Sequence, residues 1–241
     1  MQLNHMKYSD EPISMLRDYY ESYPADLTAA TEADNQATRR STLYPVAKRG
    51  FDLLVTLTLA PFALLIVGIL ALLIRADGAS AFFCQQRVGK HGKIFTFWKL
   101  RNMVPNADQR LEAYLSENPA ARIEWDSAQK LRTDPRVTRL GGYLRKYSVD
   151  ELPQLFNVLI GDMSLVGPRP MMPEQQQYYP GTAYFDMRPG LTGLWQIGER
   201  NGCSFAERAK HDTRYARSMS FATDMRILLM TPAVVFRGTG L

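Results

Sequence analysis

The chain is 241 residues long, 46% hydrophobic and 22% charged, a composition that suits one ordered domain with a good core and excludes a disordered polymer. Two cysteines, Cys84 and Cys203, exclude a disulfide framework, and His5, His91 and His211 are too scattered to form a zinc pair. Net charge is +5, but residues 1–47 hold four Lys or Arg against seven Asp or Glu, leaving the rest with 25 against 17, a surplus of eight. A basic body of this kind suits phosphorylated small molecules, anionic lipid or nucleic acid, and a solvated basic surface explains it equally well before motifs are weighed.

Residues 1–47 alternate polar and aromatic patches with Pro12, Pro24 and Pro45 and keep no period. They read as a mobile tail with one short helix near Ile13 to Tyr20 and without the apolar core of a signal peptide. Leu53 to Ile74 then runs 22 residues without a charge, long enough at about 1.5 Å per residue to span a bilayer core. Pro61 lies near its middle, removes one backbone donor and crowds the carbonyl of Leu57, so a kink is expected. Lys48 and Arg49 precede the segment while Arg75, Arg87, Lys90 and Lys93 follow it. The preference for positive charge on the cytoplasmic side therefore draws both ends the same way. A re-entrant membrane helix over residues 48–75 satisfies both flanks; an ordinary kinked transmembrane helix is the alternative.

From Gly78 to Met103 short apolar and aromatic alternations, with Gly89 and Gly92 between them, predict two strands and a turn. Asn106 to Leu131 predicts helix, with Leu111, Tyr114 and Leu115 on one face and Pro119 interrupting. Near the C-terminus, Met225 to Phe236 is apolar and edged by Arg226 and Arg237. It fits a helix in the membrane interface or one buried in the core.

The densest segment is Leu144 to Pro170, LRKYSVDELPQLFNVLIGDMSLVGPRP. Adjacent carboxylates, Asp150 and Glu151, lie among basic residues ahead of an apolar helix running from Gln154 to Ile160. Ser148 and Glu151 have capping-box spacing, and Pro153 suits a first helical turn. A cap alone explains the acids; the same position, near a helix N-terminus, would also hold a carboxylate ionised as nucleophile or metal ligand. Arg145 and Lys146 flank the pair on one side, and Arg169, held between Pro168 and Pro170, on the other. Guanidinium forks match phosphate oxygens, whereas an exposed arginine on a rigid turn is the plainer reading. Lys99 and Arg101, after Phe97 and Trp98, offer further positive charge. Arg188 to Gln196, RPGLTGLWQ, joins a Pro-Gly turn to a second glycine and Trp195, which would let backbone approach a ligand while the indole stacks; Arg200 follows it. No GxxxxGK[ST] loop, GxGxxG fingerprint, GxSxG elbow or Asp-x-Asp pair occurs, which disfavours standard nucleotide folds.

Taken in order, KRGFDLL at Lys48 to Leu54, the proline-broken apolar segment, FWKLRNM, DPRVTRLG, the DELPQLFNVLIGDMSLVGPRP block and RPGLTGLWQ resemble the bacterial sugar transferase family. These are monotopic polyprenyl-phosphate hexose-1-phosphate transferases. The resemblance runs from about Lys48 to the C-terminus and is nearest to exopolysaccharide-production members that transfer galactose 1-phosphate to undecaprenyl phosphate.

The resemblance implies a mixed α/β fold, mainly helical: a re-entrant membrane helix over 48–75, then a small cytosolic catalytic domain over 76–241 with few strands and amphipathic interface helices. It implies Asp150 as the nucleophile that attacks a UDP-hexose and expels UMP, with Glu151 as the ligand of Mg²⁺. It implies Lys99, Arg101, Arg145, Arg169 and Arg200 as phosphate contacts, and Pro61 as the break in the membrane helix. The implied partners are UDP-hexose, undecaprenyl phosphate and inner-membrane lipid at the cytoplasmic face, with no nucleic acid; association as a homodimer stays open. Ala60 departs from the serine usual before that proline, so the freed carbonyl must turn to Thr58, water or neighbours. A non-catalytic docking protein and a UDP-releasing glycosyltransferase are the competing expectations.

Overall fold

The computed structural model describes residues 43–128, 131, 133–198 and 205–238. Residues 1–42 of the expected tail, its short helix included, and Arg200 lie outside the described residues. Helix α1, Leu43–Ile74, is the longest element. It begins ahead of the boundary expected at residue 47, because Pro45 costs nothing in a first turn and Tyr44 is tied down by Asp224 at 2.8 Å. Pro61 lies inside the helix without ending it. Thr58, one of the three alternatives for the carbonyl that Pro61 leaves unpaired, instead donates to Leu54 at 2.8 Å. A threonine hydroxyl in a helix reaches the carbonyl one turn back, and for Thr58 that is not Leu57.

The two ends of α1 are embedded and its middle is bare. Lys48, Asp52 and Thr56, one turn apart, share a face. Lys48 pairs with Asp224 at 2.8 Å, while Asp52 accepts from the Ser164 hydroxyl at 2.7 Å and the Leu165 N–H at 3.2 Å. Arg49 donates to the carbonyls of Val158 and Leu159 at 2.6 and 3.0 Å. Lys48 and Arg49, expected only as flanking charges, are thus structural ties. At the far end Val67, Leu70, Ala71 and Ile74 pack with Ala81, Leu100 and Leu144. Between them Leu57, Phe62, Leu64 and Leu65 are exposed. By length and composition this helix is able to cross a membrane.

Strands β1, Phe82–Val88, and β2, Ile94–Leu100, form the expected antiparallel hairpin, pairing Phe82 with Leu100 and Val88 with Ile94. Gly92 takes a positive φ in the turn and Gly89 N–H closes onto Lys93 O at 2.7 Å. The expected helix after Asn106 is two, α2 at Ala107–Glu117 and α3 at Pro119–Ala128, split at Pro119 with Leu111 and Leu115 buried. Helix α4, Arg139–Lys146, and α5, Gln154–Ile160, carry the acidic pair between them.

Strand β3, Ser164–Val166, pairs in parallel with β4, Gly190–Thr192. Their approach depends on glycine: a Cβ at Gly193 would stand 2.0 Å from Gly167 O, and one at Gly190 2.1 Å from Gly167 N. The glycines of RPGLTG therefore admit another backbone, where a ligand had been expected. Helices α6, Leu194–Ile197, α7, Phe205–Ser218, and α8, Phe221–Phe236, complete the order. Ser220 caps α8 through Thr223 N–H at 3.1 Å, which starts it four residues before Met225. Its Asp224 and Ile227 are buried whereas Leu229 and Phe236 are exposed, so it has both a core face and an apolar outer face. A second core, of Val88, Met171, Tyr179, Tyr184 and Ala209, closes β1 against α7.

Candidate active site

Thr138 caps α4 by accepting from Gly141 N–H at 2.9 Å. After α4 the chain turns abruptly: Ser148 has φ 54°, a left-handed conformation that costs a non-glycine residue. Val149–Glu151 then form one 3-10 turn, and Pro153 rather than Ser148 stands at the N-cap of α5. The expected capping box is not formed. Ser148's left-handed backbone leaves its hydroxyl making no cap bond, and Glu151 N–H reaches the Ser148 carbonyl at 3.2 Å instead. The Glu151 side chain turns to cations: Lys99 Nζ donates to Oε1 at 2.8 Å and Arg169 Nη2 to the same oxygen at 3.2 Å.

Asp150 is 3% exposed. Asn102 Nδ2 donates to its Oδ2 at 2.9 Å, and Lys99 Nζ lies 3.7 Å from that oxygen. The expectation of a carboxyl depressed by a helix terminus is corrected. Burial pushes Asp150 above the ordinary carboxylate value; Lys99, the Asn102 hydrogen bond and Arg145 oppose this, and Glu151 adds to it. The reason is positional, since the pair sits in a separate turn before α5 and not on its N-terminus.

Of the expected phosphate contacts, Lys99, Arg145 and Arg169 gather around the pair. Arg145 is largely buried, which lowers its pKa, while Asp134 and Asp150 hold it charged. Arg101 is not brought to the pair. Its guanidinium is spent on the C-terminal end of α1, donating to Ser80 O at 2.6 Å, Ile74 O at 3.0 Å, Met103 O at 3.2 Å and Asp77 Oδ1 at 2.6 Å. Strand β2 ends at Leu100, so Arg101 does not continue the Lys99 face.

Three residues not expected at the site join it: Asn102, Arg208 and Arg87, the last read from the sequence only as a flanking charge. Arg208 donates to the Arg169 carbonyl and Arg87 to the Pro170 carbonyl at 3.3 Å, gripping the Pro-Arg-Pro turn from two sides. Arg169 and Arg208 both lie over Trp195, 6.0 and 5.1 Å from its ring centre, so the indole carries cations. Burial, with Arg169 and Arg208 nearby, drops the Arg87 pKa to about 10. A concentration of guanidinium and ammonium groups beside a buried carboxylate pair is an environment for anionic, phosphate-bearing ligands.

The sequence model of the family described as "Bacterial sugar transferase" matches residues 43–238. The exopolysaccharide production protein ExoY of Sinorhizobium fredii is 43% identical over 196 residues, covering 78% of this chain and 85% of that protein. The undecaprenyl-phosphate galactose phosphotransferase of Salmonella typhimurium is 41% identical over 208 residues, 86% of this chain and 43% of that protein. The undecaprenyl-phosphate glucose phosphotransferase of Komagataeibacter xylinus is 38% identical over 204 residues, 76% of this chain and 35% of that protein. The chain thus spans less than half the length of the latter two.

Proposed function

The chain belongs to the bacterial sugar transferase family, and on that premise we propose that it transfers a hexose 1-phosphate from a UDP-hexose to undecaprenyl phosphate in exopolysaccharide assembly, releasing UMP. Asp150 is the nucleophile. The observation that carries this reading is the asymmetry of its carboxylate: Oδ2 is held by Asn102 and approached by Lys99, while no hydrogen bond among the described residues reaches Oδ1. A buried carboxylate with one oxygen uncommitted, ringed by Lys99, Arg145 and Arg169, supports attack on phosphorus.

In the first step an Asp150 oxygen bonds to the β-phosphorus, and the bond from that phosphorus to the bridging oxygen breaks, its electron pair leaving with UMP. In the second, a phosphate oxygen of undecaprenyl phosphate attacks the same phosphorus and the carboxylate is restored. Lys99 and Arg169 hold Glu151 and so bring their positive charge to the diphosphate. Arg87 and Arg208 keep the Pro168–Pro170 turn in place.

Glu151 would be the ligand of Mg²⁺, which takes one or two carboxylates and fills its shell with water and phosphate oxygens. Bound there, Mg²⁺ would neutralise charge on the diphosphate and its leaving group.

Both ends of α1 pack on one body while its apolar middle is exposed. This supports a re-entrant helix, dipping into the inner membrane from the cytoplasmic face, where a lipid-borne acceptor and a water-soluble donor meet. The test is purified full-length chain with UDP-galactose or UDP-glucose, undecaprenyl phosphate and Mg²⁺. UMP release and a trapped hexose-phosphate adduct on the Asp150 peptide are expected. Release of UDP would replace the proposal with plain glycosyl transfer, and no turnover with any UDP-sugar would favour a docking role.

A further inference from the structure

The two oxygens of Asp150 are not equivalent, and the difference originates in a residue outside the acidic pair. Asn102 follows β2, and helix α4 fixes its backbone: its carbonyl accepts from Thr138 N–H at 3.1 Å. Gly141 makes that contact possible, since a Cβ there would fall 1.9 Å from Asn102 O. Its side chain is thereby aimed at Asp150, where Nδ2 meets Oδ2 at 2.9 Å. Lys99 does not substitute for it, being bonded to Glu151 at 2.8 Å and 3.7 Å from Asp150. Asp52, equally buried, has both oxygens hydrogen-bonded and serves as a tie between elements. Asp150 has one.

We infer that Asn102 is the positioning residue of the nucleophile: it locks Oδ2 and so assigns attack to Oδ1. The inference rests on the reading of Asp150 given above. As Oδ1 gives its lone pair to the β-phosphorus and the electron pair of the cleaved phosphorus–oxygen bond departs with UMP, the C–Oδ2 bond becomes the carbonyl of the acyl phosphate. A neutral amide N–H bonds to a carboxylate oxygen and to that carbonyl alike, so the contact is kept through the step and back. A lysine in its place would favour the carboxylate and oppose the adduct.

The experiment compares wild type, Asn102→Ala and Asn102→Leu in the full chain, in detergent, with UDP-sugar and undecaprenyl phosphate. Asn102→Leu keeps a similar volume and removes the donor without adding a charge. For both variants kcat is expected to fall by about 100-fold, with the KM for UDP-sugar within about threefold of wild type and the melting temperature little changed. Adduct on the Asp150 peptide should appear correspondingly slowly in a single turnover. Wild-type kcat in either variant, or a loss confined to KM, overturns the inference while leaving the nucleophile in place. A wild-type chain that releases UMP with no adduct overturns the nucleophile and, with it, the role of Asn102.

Discussion

Asp150 and Asp224 are two aspartates buried to nearly the same extent, 3% and 2% exposed, in regions built for opposite purposes. Asp224 stands where α1, α7 and α8 meet. Its Oδ2 accepts from Tyr44 and Lys48, both at 2.8 Å, and its Oδ1 from Tyr215 at 2.6 Å. Both oxygens of that carboxylate are engaged, by donors from two other helices, so the group works as a joint between helices. Asp150 sits on a single 3-10 turn entered through a left-handed serine, and among the described residues only Oδ2 is engaged. On the proposed reading of Asp150, burial does not separate a structural acid from a reactive one; engagement of both oxygens does. The joint is placed on long helices that hold it from three sides, whereas the proposed nucleophile is placed on a short irregular piece that borrows rigidity from β2 and α4.

The largest effect that this contrast predicts is on rate. Asp150→Asn should lower UMP release by about 10⁴-fold or more. Its melting temperature should stay the same or rise slightly, because burial already disfavours the charged form. An inactive variant that also melts early would erase the distinction.

Asp224→Ala should do the reverse. Lys48 and two tyrosine hydroxyls lose their acceptor together, and leaving a buried charge without its partner costs about 3–5 kcal/mol of stability. The fraction that remains folded should turn over at the wild-type rate per molecule; a normal melting temperature with lost turnover would move Asp224 into the catalytic class.

Asp212 sharpens the comparison as an intermediate case. Burial raises it to about 6, against the opposing pull of Arg208 and the Tyr179 hydrogen bond at 3.0 Å. The folded chain therefore holds a proton there that the unfolded chain releases near pH 4. Its contribution to stability is fully present below about pH 4 and is lost as pH rises to 6, by about 2–3 kcal/mol. Asp212→Asn should match wild type near pH 4 and exceed it at pH 7, read as the difference between two melting curves across that range. A gap that stays constant with pH would mean that Asp212 titrates normally.

Local patterns carried much of this architecture. The glycine-marked hairpin, the proline-split helical pair and the Gln154–Ile160 helix follow from turn chemistry and periodicity, and all three appear at or near the expected residues. Patterns fail where one residue's conformation redirects the chain. Ser148 reads as a cap by spacing but is left-handed, which swings Glu151 toward Lys99 and Arg169. Arg101 reads as a partner of Lys99 until the strand stops one residue earlier. Asn102, Arg87 and Arg208 were invisible as site residues for a different reason. Each acquires its role through a contact with a residue distant along the chain: Asn102 with Asp150, Arg87 with Pro170 and Arg208 with Arg169. Arg208 in particular lies in a helix where charged residues alternate without any spacing that marks one of them.

The grip of Arg49 on the last carbonyls of α5, and of Asp52 on β3, bears on how the protein can be handled. Cutting away everything before Arg75 is the obvious way to obtain a fragment that dissolves without detergent. Such a fragment would lose the side chains that terminate α5 and anchor the neighbouring strand, and the apolar surface of Leu100 and Leu144 would be bared to water. Solubilisation is better sought by replacing the exposed leucines and phenylalanine around Pro61 with polar residues, keeping both embedded ends of the helix as they are.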